Sequence, residues 1–153
     1  MATLKDQLKK DLVVAMKAHD ETAKTTIRMA VAAIMNAEVA GKAHELSDEE
    51  ELKILTREVH TREESAETYA AAGREELAAK ESAEAELLKK YLPEQLDAAQ
   101  LQQIVDDVVA QASTDGKPTM KQMGQLVRAA NEQVKGRAEG KAVADLVRKA
   151  ITG

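Results

Sequence analysis

The sequence predicts an all-α protein, and three observations carry this prediction. The 153-residue chain is rich in Ala, Glu, Lys, Leu and Gln, and it contains only seven Gly and two Pro, a composition that favours helices. Apolar residues recur at three- and four-residue spacing along most of the chain. There is no Phe, Trp or Cys. We expect a four-helix N-terminal domain (1–93) with a long helical hairpin, and a small three-helix C-terminal domain (94–153).

Helix starts are predicted by capping patterns. In a capping box, a side chain at the start of the helix and another three residues later each bond the other's backbone N–H. Four pairs have this spacing: Thr3–Asp6, Ser47–Glu50, Asp97–Gln100 and Thr119–Gln122. Asp20 is a suitable N-cap for the second helix.

The apolar spacing also predicts which side chains are buried. We expect Met16, Met35 and Met120 to lie on the buried sides of their helices with neighbouring aliphatic residues. The middle of the hairpin is charged on most sides, for example in REVHTREE (57–64). We therefore expect the hairpin to project partly away from the core and to be held by i,i+4 ion pairs, each worth only about 0.2–0.5 kcal/mol.

Pro93 is the predicted boundary between the two domains. The residue before a proline is pushed out of the helical region, so the preceding helix must end near Leu92. We interpret 92–96 as a structured hinge and 113–118 as a loop between two helices of the C-terminal domain.

Composition excludes several classes of protein. Without cysteine there is no disulfide, thiolate metal site or thiol nucleophile. No apolar run approaches the roughly 18 residues that a membrane-spanning helix needs, and the N-terminus is charged where a signal peptide is apolar. The three histidines and four serines are scattered, so we expect no metal, no cofactor and no autonomous active site. We predict a cytoplasmic protein.

Charge is distributed unevenly along the chain. From Lys117 onward there are eight Lys/Arg against three acids, a surplus of +5 in a protein whose net charge is −5, so the first 116 residues carry about −10. Several of these cations cluster in Val134–Lys141, which we call the basic elbow. This asymmetry is typical of a surface that binds an anionic partner.

The basic elbow has two interpretations. Its Gly136 and Gly140 are separated by three residues and are followed by Lys141-Ala142. A P-loop has four residues between its glycines, then Lys and Ser/Thr, after a strand; this excludes nucleotide binding. The elbow could be an ordinary capped turn, with Gly136 as the helix C-cap. Alternatively, its backbone N–H groups and cations could contact a phosphate backbone.

Several stretches of the chain resemble the YqeY family. They are Ile27-Arg28-Met29, Leu46–Glu50, Arg57-Glu58-Val59, Arg62 with Ser65, Ala72-Gly73-Arg74, Tyr91–Leu96, Met123-Gly124 and Val134–Lys141. The family comprises small bacterial helical proteins related to the C-terminal region of GatB, a subunit of the glutamine-dependent tRNA amidotransferase. The resemblance implies a helical domain plus a three-helix tail, and a tail that holds tRNA while other domains perform the chemistry. One departure is Glu139, where an Asp is usual.

Three functions follow as hypotheses. The first is a non-catalytic module that binds tRNA or a tRNA-handling complex. The second is a protein-interaction adaptor with a basic tail and no role with nucleic acid. The third is a component of an amidotransferase, that is, of a carbon–nitrogen ligase with glutamine as amido donor. The residues predicted to contact RNA are Lys121, Arg128, Lys135, Gly136, Arg137, Gly140, Lys141, Arg148 and Lys149.

Overall fold

The computed structural model describes residues 3–114 and 116–153, and these residues form helices and connecting segments without a strand. The predicted all-α class is confirmed. The described residues contain seven α-helices, with a 3-10 turn at Met120–Gln122 directly before the sixth. The helices are α1 (Leu4–Lys17), α2 (Glu21–Val39), α3 (Asp48–Ala71), α4 (Glu75–Lys89), α5 (Ala98–Ala112), α6 (Met123–Val134) and α7 (Gly140–Thr152).

The helices group into two compact units, Met1–Pro93 and Glu94–Gly153. Unit 1 contains α1 to α4, and unit 2 contains α5 to α7. This division lies where the sequence places the domain boundary; that the units are separate domains stays a prediction. The predicted loop 113–118 includes Asp115, which lies outside the described residues.

The predicted capping boxes are all present. At the start of α1, the Thr3 hydroxyl accepts a hydrogen bond from the Asp6 N–H at 3.1 Å, and the Asp6 carboxylate accepts one from the Thr3 N–H at 3.2 Å. Equivalent boxes begin α3 and α5. The box at Thr119 begins the 3-10 turn, and α6 itself starts at Met123. Side chains therefore fix these helix starts locally, as the spacing indicates.

The apolar core of unit 1 lies at the base of the α3–α4 hairpin. Its largest fully buried side chains are Leu8, Ile34, Leu55 and Leu88. The hairpin contributes to this cluster only through the first half of α3 and the second half of α4. The turn at the other end, residues 70–77, is exposed throughout. Packing of large side chains is thus confined to the base.

A buried ion cluster joins the two helices of the hairpin. Arg62 is only 4% exposed and Glu84 only 6%. The Arg62 guanidinium contacts the Glu58 carboxylate at 2.6 Å and the Glu84 carboxylate at 3.3 Å. The Arg62–Glu58 contact is one of the i,i+4 ion pairs expected in the hairpin. The sequence did not predict that Arg62 and Glu84 are buried together, where each charge has a partner that offsets the loss of water.

Three methionines that the apolar spacing predicts as buried are exposed. Met16 is 45% exposed, Met35 is 47% and Met120 is 51%. In these alanine-rich helices small residues occupy the buried positions, as Ala15 and Ala30 do, with 6% and 0% exposure. Alanine fits either side of a helix, so the apolar pattern does not define the buried side sharply.

Unit 2 is a three-helix unit with an aliphatic core. Its most buried side chains include Val105, Val134, Val143 and Val147, each exposed by 1% or less. Every buried polar or charged side chain that the structure describes lies in unit 1. Unit 2 therefore carries its described charges at or near the surface.

Replacing Thr26 by Val is predicted to stabilise unit 1. Thr26 is 0% exposed, and its hydroxyl has no hydrogen-bond partner among the described residues. An isosteric methyl group removes that uncompensated polar atom, so we expect Thr26→Val to raise the free energy of unfolding by about 1 kcal/mol, measured by urea unfolding. Thr56→Val is the control: its hydroxyl donates to the Leu52 carbonyl at 2.7 Å, so this change should lower stability. Equal effects of the two variants would contradict the argument.

Removing the Arg62 side chain is predicted to destabilise the hairpin strongly. Arg62→Ala leaves Glu84 buried without its cation, and we expect a loss of about 3 kcal/mol in the free energy of unfolding. The double variant Arg62→Met, Glu84→Leu removes both charges and should recover most of that loss. Thermal and urea unfolding measure the stability of the single and the double variant. A loss below about 1 kcal/mol for Arg62→Ala would mean that the ion cluster does not hold the helices together.

Candidate nucleic-acid interface

The basic elbow begins with two residues in the left-handed region. Lys135 ends α6 with φ 49°, and Gly136 follows with φ 78°. The Lys135 N–H donates to the Asn131 carbonyl at 3.0 Å. The helix C-cap is therefore Lys135, one residue before the glycine that the capped-turn interpretation assigned to that role. A lysine is unfavourable here, because its Cβ crowds the backbone in a conformation that glycine adopts freely.

Arg137 caps the C-terminus of α6. Its Nε donates to the Val134 carbonyl at 3.0 Å and its Nη2 to the Gln133 carbonyl at 2.8 Å. A helix leaves its last carbonyls without backbone partners, and a cation at this end suits the helix dipole. Two of the five N–H donors of the guanidinium are thus engaged inside the protein. The sequence indicated only a phosphate contact for Arg137 and missed this structural role.

Two residues that follow Pro93 hold the elbow from the other side. The Gln95 side-chain amide donates to the Gly136 carbonyl at 3.1 Å, and the Leu96 N–H donates to the Arg137 carbonyl at 2.7 Å. We call this pair the Gln95–Leu96 clamp. Leu96 also packs its side chain against the core of unit 2, as does Ala138 of the elbow. The elbow is therefore anchored at several points.

The Gln95–Leu96 clamp was not predicted from the sequence, where residues 92–96 were interpreted only as a hinge. One signal could have found it. The stretches Tyr91–Leu96 and Val134–Lys141 both belong to the family resemblance described above. The structure brings the end of the first stretch into contact with the middle of the second.

Three exposed cations follow one another along α6 and its two ends. Lys121 lies in the 3-10 turn before the helix, Arg128 lies within it, and Lys135 is its C-cap. All three are exposed, and none makes an ion pair within the described parts of unit 2. The opposite side of α6 is buried in the core through Leu126 and Ala130. These cations are free to contact a partner.

The exposed side of α7 carries the remaining candidate cations. Lys141, Arg148 and Lys149 are exposed. Arg148 contacts Asp145 at 3.5 Å, with both side chains more than half exposed, and such pairs contribute little to stability. Glu139 precedes α7 but makes no side-chain cap, which fits its place where an Asp is usual. The first backbone N–H groups of α7, which begin at Gly140, therefore donate no capping bond to the Glu139 side chain and can donate to another group.

Charge in unit 2 is segregated between helices. The helix α5 contains no Lys or Arg, and its Asp106 and Asp107 accept hydrogen bonds from Gln102 and Gln103 at 2.8 and 2.9 Å. The cations lie on α6, the elbow and α7. Unit 2 thus has one acidic helix and two helices with exposed cations. No group of three or more potential metal ligands occurs among the described residues of the chain.

Comparison with known proteins places nearly the whole chain in one family. A family model described as Yqey-like protein matches residues 5–151. The chain is also similar to yeast proteins named "Altered inheritance of mitochondria protein 41, mitochondrial". It is 38% identical to that of Vanderwaltozyma polyspora over 85 residues, 56% of this chain and 46% of the relative. It is 39% identical to that of Candida glabrata over 88 residues, 57% of this chain and 48% of the relative. The matched region thus spans about half the length of these relatives.

Within residues 3–114 and 116–153, no helix is long and apolar enough to cross a bilayer.

Replacing Lys135 by Gly is predicted to stabilise the protein. Glycine adopts the left-handed conformation without a Cβ penalty, so we expect Lys135→Gly to raise the free energy of unfolding by about 1 kcal/mol. The control is His19→Gly, since His19 has a similar φ of 54° at the end of α1. Thermal unfolding should show a similar increase in stability for Lys135→Gly and His19→Gly. A loss of stability in Lys135→Gly alone would contradict this prediction, since it would mean that the lysine side chain supports the fold.

Proposed function

The chain belongs to the YqeY-like family, and from that premise we propose that it is a non-catalytic module that binds structured RNA. The contact surface comprises the basic elbow and the exposed sides of α6 and α7. The RNA that fits best is tRNA, free or in a tRNA-handling complex. This choice rests on the resemblance to the tail of a tRNA amidotransferase subunit. No amidation chemistry is assigned to the chain itself.

The observation that carries the proposal is the row of three exposed, unpaired cations along α6 and its two ends. Lys121 and Lys135 lie just outside opposite ends of α6, which has 12 residues and is therefore about 18 Å long. A single phosphate or carboxylate cannot contact both ends of this row, whereas a polyanion with regularly spaced charges can. Lys135 supports the same conclusion, because a lysine with φ 49° occupies a position where glycine is more stable. A cation retained at a cost to stability suggests a role in binding.

The composition of unit 2 favours phosphates over bases. Both tyrosines, Tyr69 and Tyr91, lie in unit 1, and the chain has no Phe or Trp, so unit 2 offers no aromatic ring on which a base could stack. Contacts to the backbone depend on the shape and charge density of the RNA and not on its sequence. A folded RNA, which brings phosphates from several strands together, is therefore a better ligand than a single strand.

The surface also argues for binding without catalysis. The buried residues described in unit 2 are apolar, and the titratable groups around the elbow are exposed or half-buried. Catalytic acids and bases typically lie in buried surroundings next to other charged groups, whereas Arg128 of α6 and Lys141, Arg148 and Lys149 of α7 are exposed. We propose that any chemistry in a complex with this protein belongs to its partners.

The cellular location predicted from the sequence differs from the one named for the yeast relatives. The cytoplasmic location predicted from the sequence stays a prediction, while the yeast relatives carry the word mitochondrial in their names. The bacterial origin implied by the resemblance is likewise a prediction, because the similar proteins described above are from yeasts. Binding to tRNA is compatible with either compartment.

The test is tRNA binding by the full chain at two salt concentrations. Lys121, Arg128 and Lys135 are changed together to Gln, and affinity is measured by fluorescence anisotropy at ~50 and ~200 mM salt. Each lost phosphate contact reduces the salt slope by about one, so we expect a slope lower by about two to three and a loss of affinity of at least ~10-fold at the lower salt.

A matched control separates this surface from net charge. Lys53, Arg57 and Lys80 are exposed cations of unit 1 that make no ion pair within the described residues; changing them to Gln alters the total charge equally. We expect little change in affinity. Salt-insensitive binding, or equal losses in the two triple variants, would overturn the proposal. A protein partner that survives nuclease treatment and requires the elbow would instead favour the adaptor hypothesis.

A further inference from the structure

The outward side of α2 carries an apolar stripe that nothing in unit 1 covers. Met35 is 47% exposed and Val39 is 68% exposed, and Ala32, one turn before Met35, is also exposed. The other side of the same helix is buried through residues such as Ile27 and Ile34. From 29 to 37 the helix contains no charged residue. A helix that is apolar on opposite sides normally packs against a partner on both.

The intervals between the stripe residues are symmetric about the centre of the stripe. Arg28, Ala32, Met35 and Val39 are separated by four, three and four residues. At 100° per residue, these four positions fall within an arc of about 60° on the helix surface. All four are exposed.

A symmetric spacing is self-complementary when two copies of the helix lie antiparallel. A two-fold axis midway between 32 and 35 places the small Ala32 of one copy opposite the large Met35 of the other. It also places Arg28 opposite Val39. A small residue facing a large one lets two helices approach closely, with the side chain of each filling the space above the other's alanine. We propose that two copies of this chain associate through antiparallel contact of their α2 stripes.

Charge complementarity supports a second copy as the occupant. The last turn of α2 carries no basic side chain of its own, and its acid, Glu38, is paired with Lys5 of α1 at 2.9 Å; the carbonyl groups of that turn still form the negative end of the helix dipole. Arg28 makes no ion pair within the described residues and lies at the other end of the stripe. In the antiparallel pair, the Arg28 of each copy meets the final turn of the other's α2. Two equivalent contacts of opposite charge then flank the apolar centre.

The size of the stripe sets the strength of the association. Its four residues span about 17 Å of helix, and their surface is well below the roughly 800 Å² per partner of a standard interface. The dimer is therefore weak, with a dissociation constant on the order of 100 µM. Sedimentation of the wild-type chain from ~10 µM to ~1 mM tests this range.

Cysteine cross-linking tests the geometry directly, because the chain has no cysteine of its own. Ala32→Cys and Met35→Cys variants are mixed, oxidised, and compared with each variant alone. The antiparallel pair places 32 opposite 35, whereas the 32–32 and 35–35 pairs are offset by about 4.5 Å along the axis, too far for good disulfide geometry. We expect the mixed disulfide to exceed either homodisulfide several-fold. A preference for homodisulfides, or no cross-linking above that of Val14→Cys, would contradict the antiparallel pair.

A charge substitution tests the stripe without requiring a change in fold. Met35 is nearly half exposed, so Met35→Asp leaves the core intact but places an acid at the centre of the contact. We expect association to weaken by at least ~10-fold. Val14→Asp is the control, since Val14 is 64% exposed on α1 and lies outside the stripe. A wild-type chain that stays monomeric to ~1 mM, or equal effects of the two variants, would overturn the proposal.

Discussion

The hydrogen bonds from Gln95 and Leu96 to the carbonyls of Gly136 and Arg137 are the constraint on which the candidate site depends. Lys135 and Gly136 both occupy the left-handed region, and a connection of that kind keeps one conformation only when its surroundings fix it. The clamp fixes it from one side, and the Arg137 guanidinium fixes it from the other through the last carbonyls of α6. The cations that remain available, Lys135 and Lys141, are therefore presented from a rigid connection. A pre-organised surface loses less entropy on binding than a flexible one.

The separation of charge within unit 2 determines from which side a polyanion is attracted. Exposed cations occupy α6 and α7, whereas α5 has acids and no cation, and its two central aspartates are engaged by glutamine amides. A polyanion is attracted by the first two helices and repelled by the third, so the charges favour one way of approach. The chain as a whole has a net charge of −5, and affinity must therefore come from this local arrangement. In our proposal, the acidic unit 1 limits non-specific attachment to nucleic acid.

Local features of the fold could be predicted from the sequence, and long-range ones could not. The capping boxes at Thr3, Ser47 and Asp97 involve residues three apart, so the pattern contains all the information that the structure uses. The buried sides of the helices were harder to predict, because alanine fits either side; Met16 and Met35 were wrongly expected in the core for this reason. The Arg62–Glu84 pair joins residues 22 positions apart, and the clamp joins positions 41 apart. No spacing rule connects residues at such separations, and both contacts were missed.

The most direct test of the central claim is an amide NMR titration of the full chain with folded tRNA. If the elbow and α6 form the contact surface, the largest changes in chemical shift will fall on Lys121, Arg128 and residues 134–141, will diminish at higher salt, and will leave α5 unaffected. Changes concentrated on α5 or in unit 1, or changes at the elbow that salt does not reduce, would contradict the account.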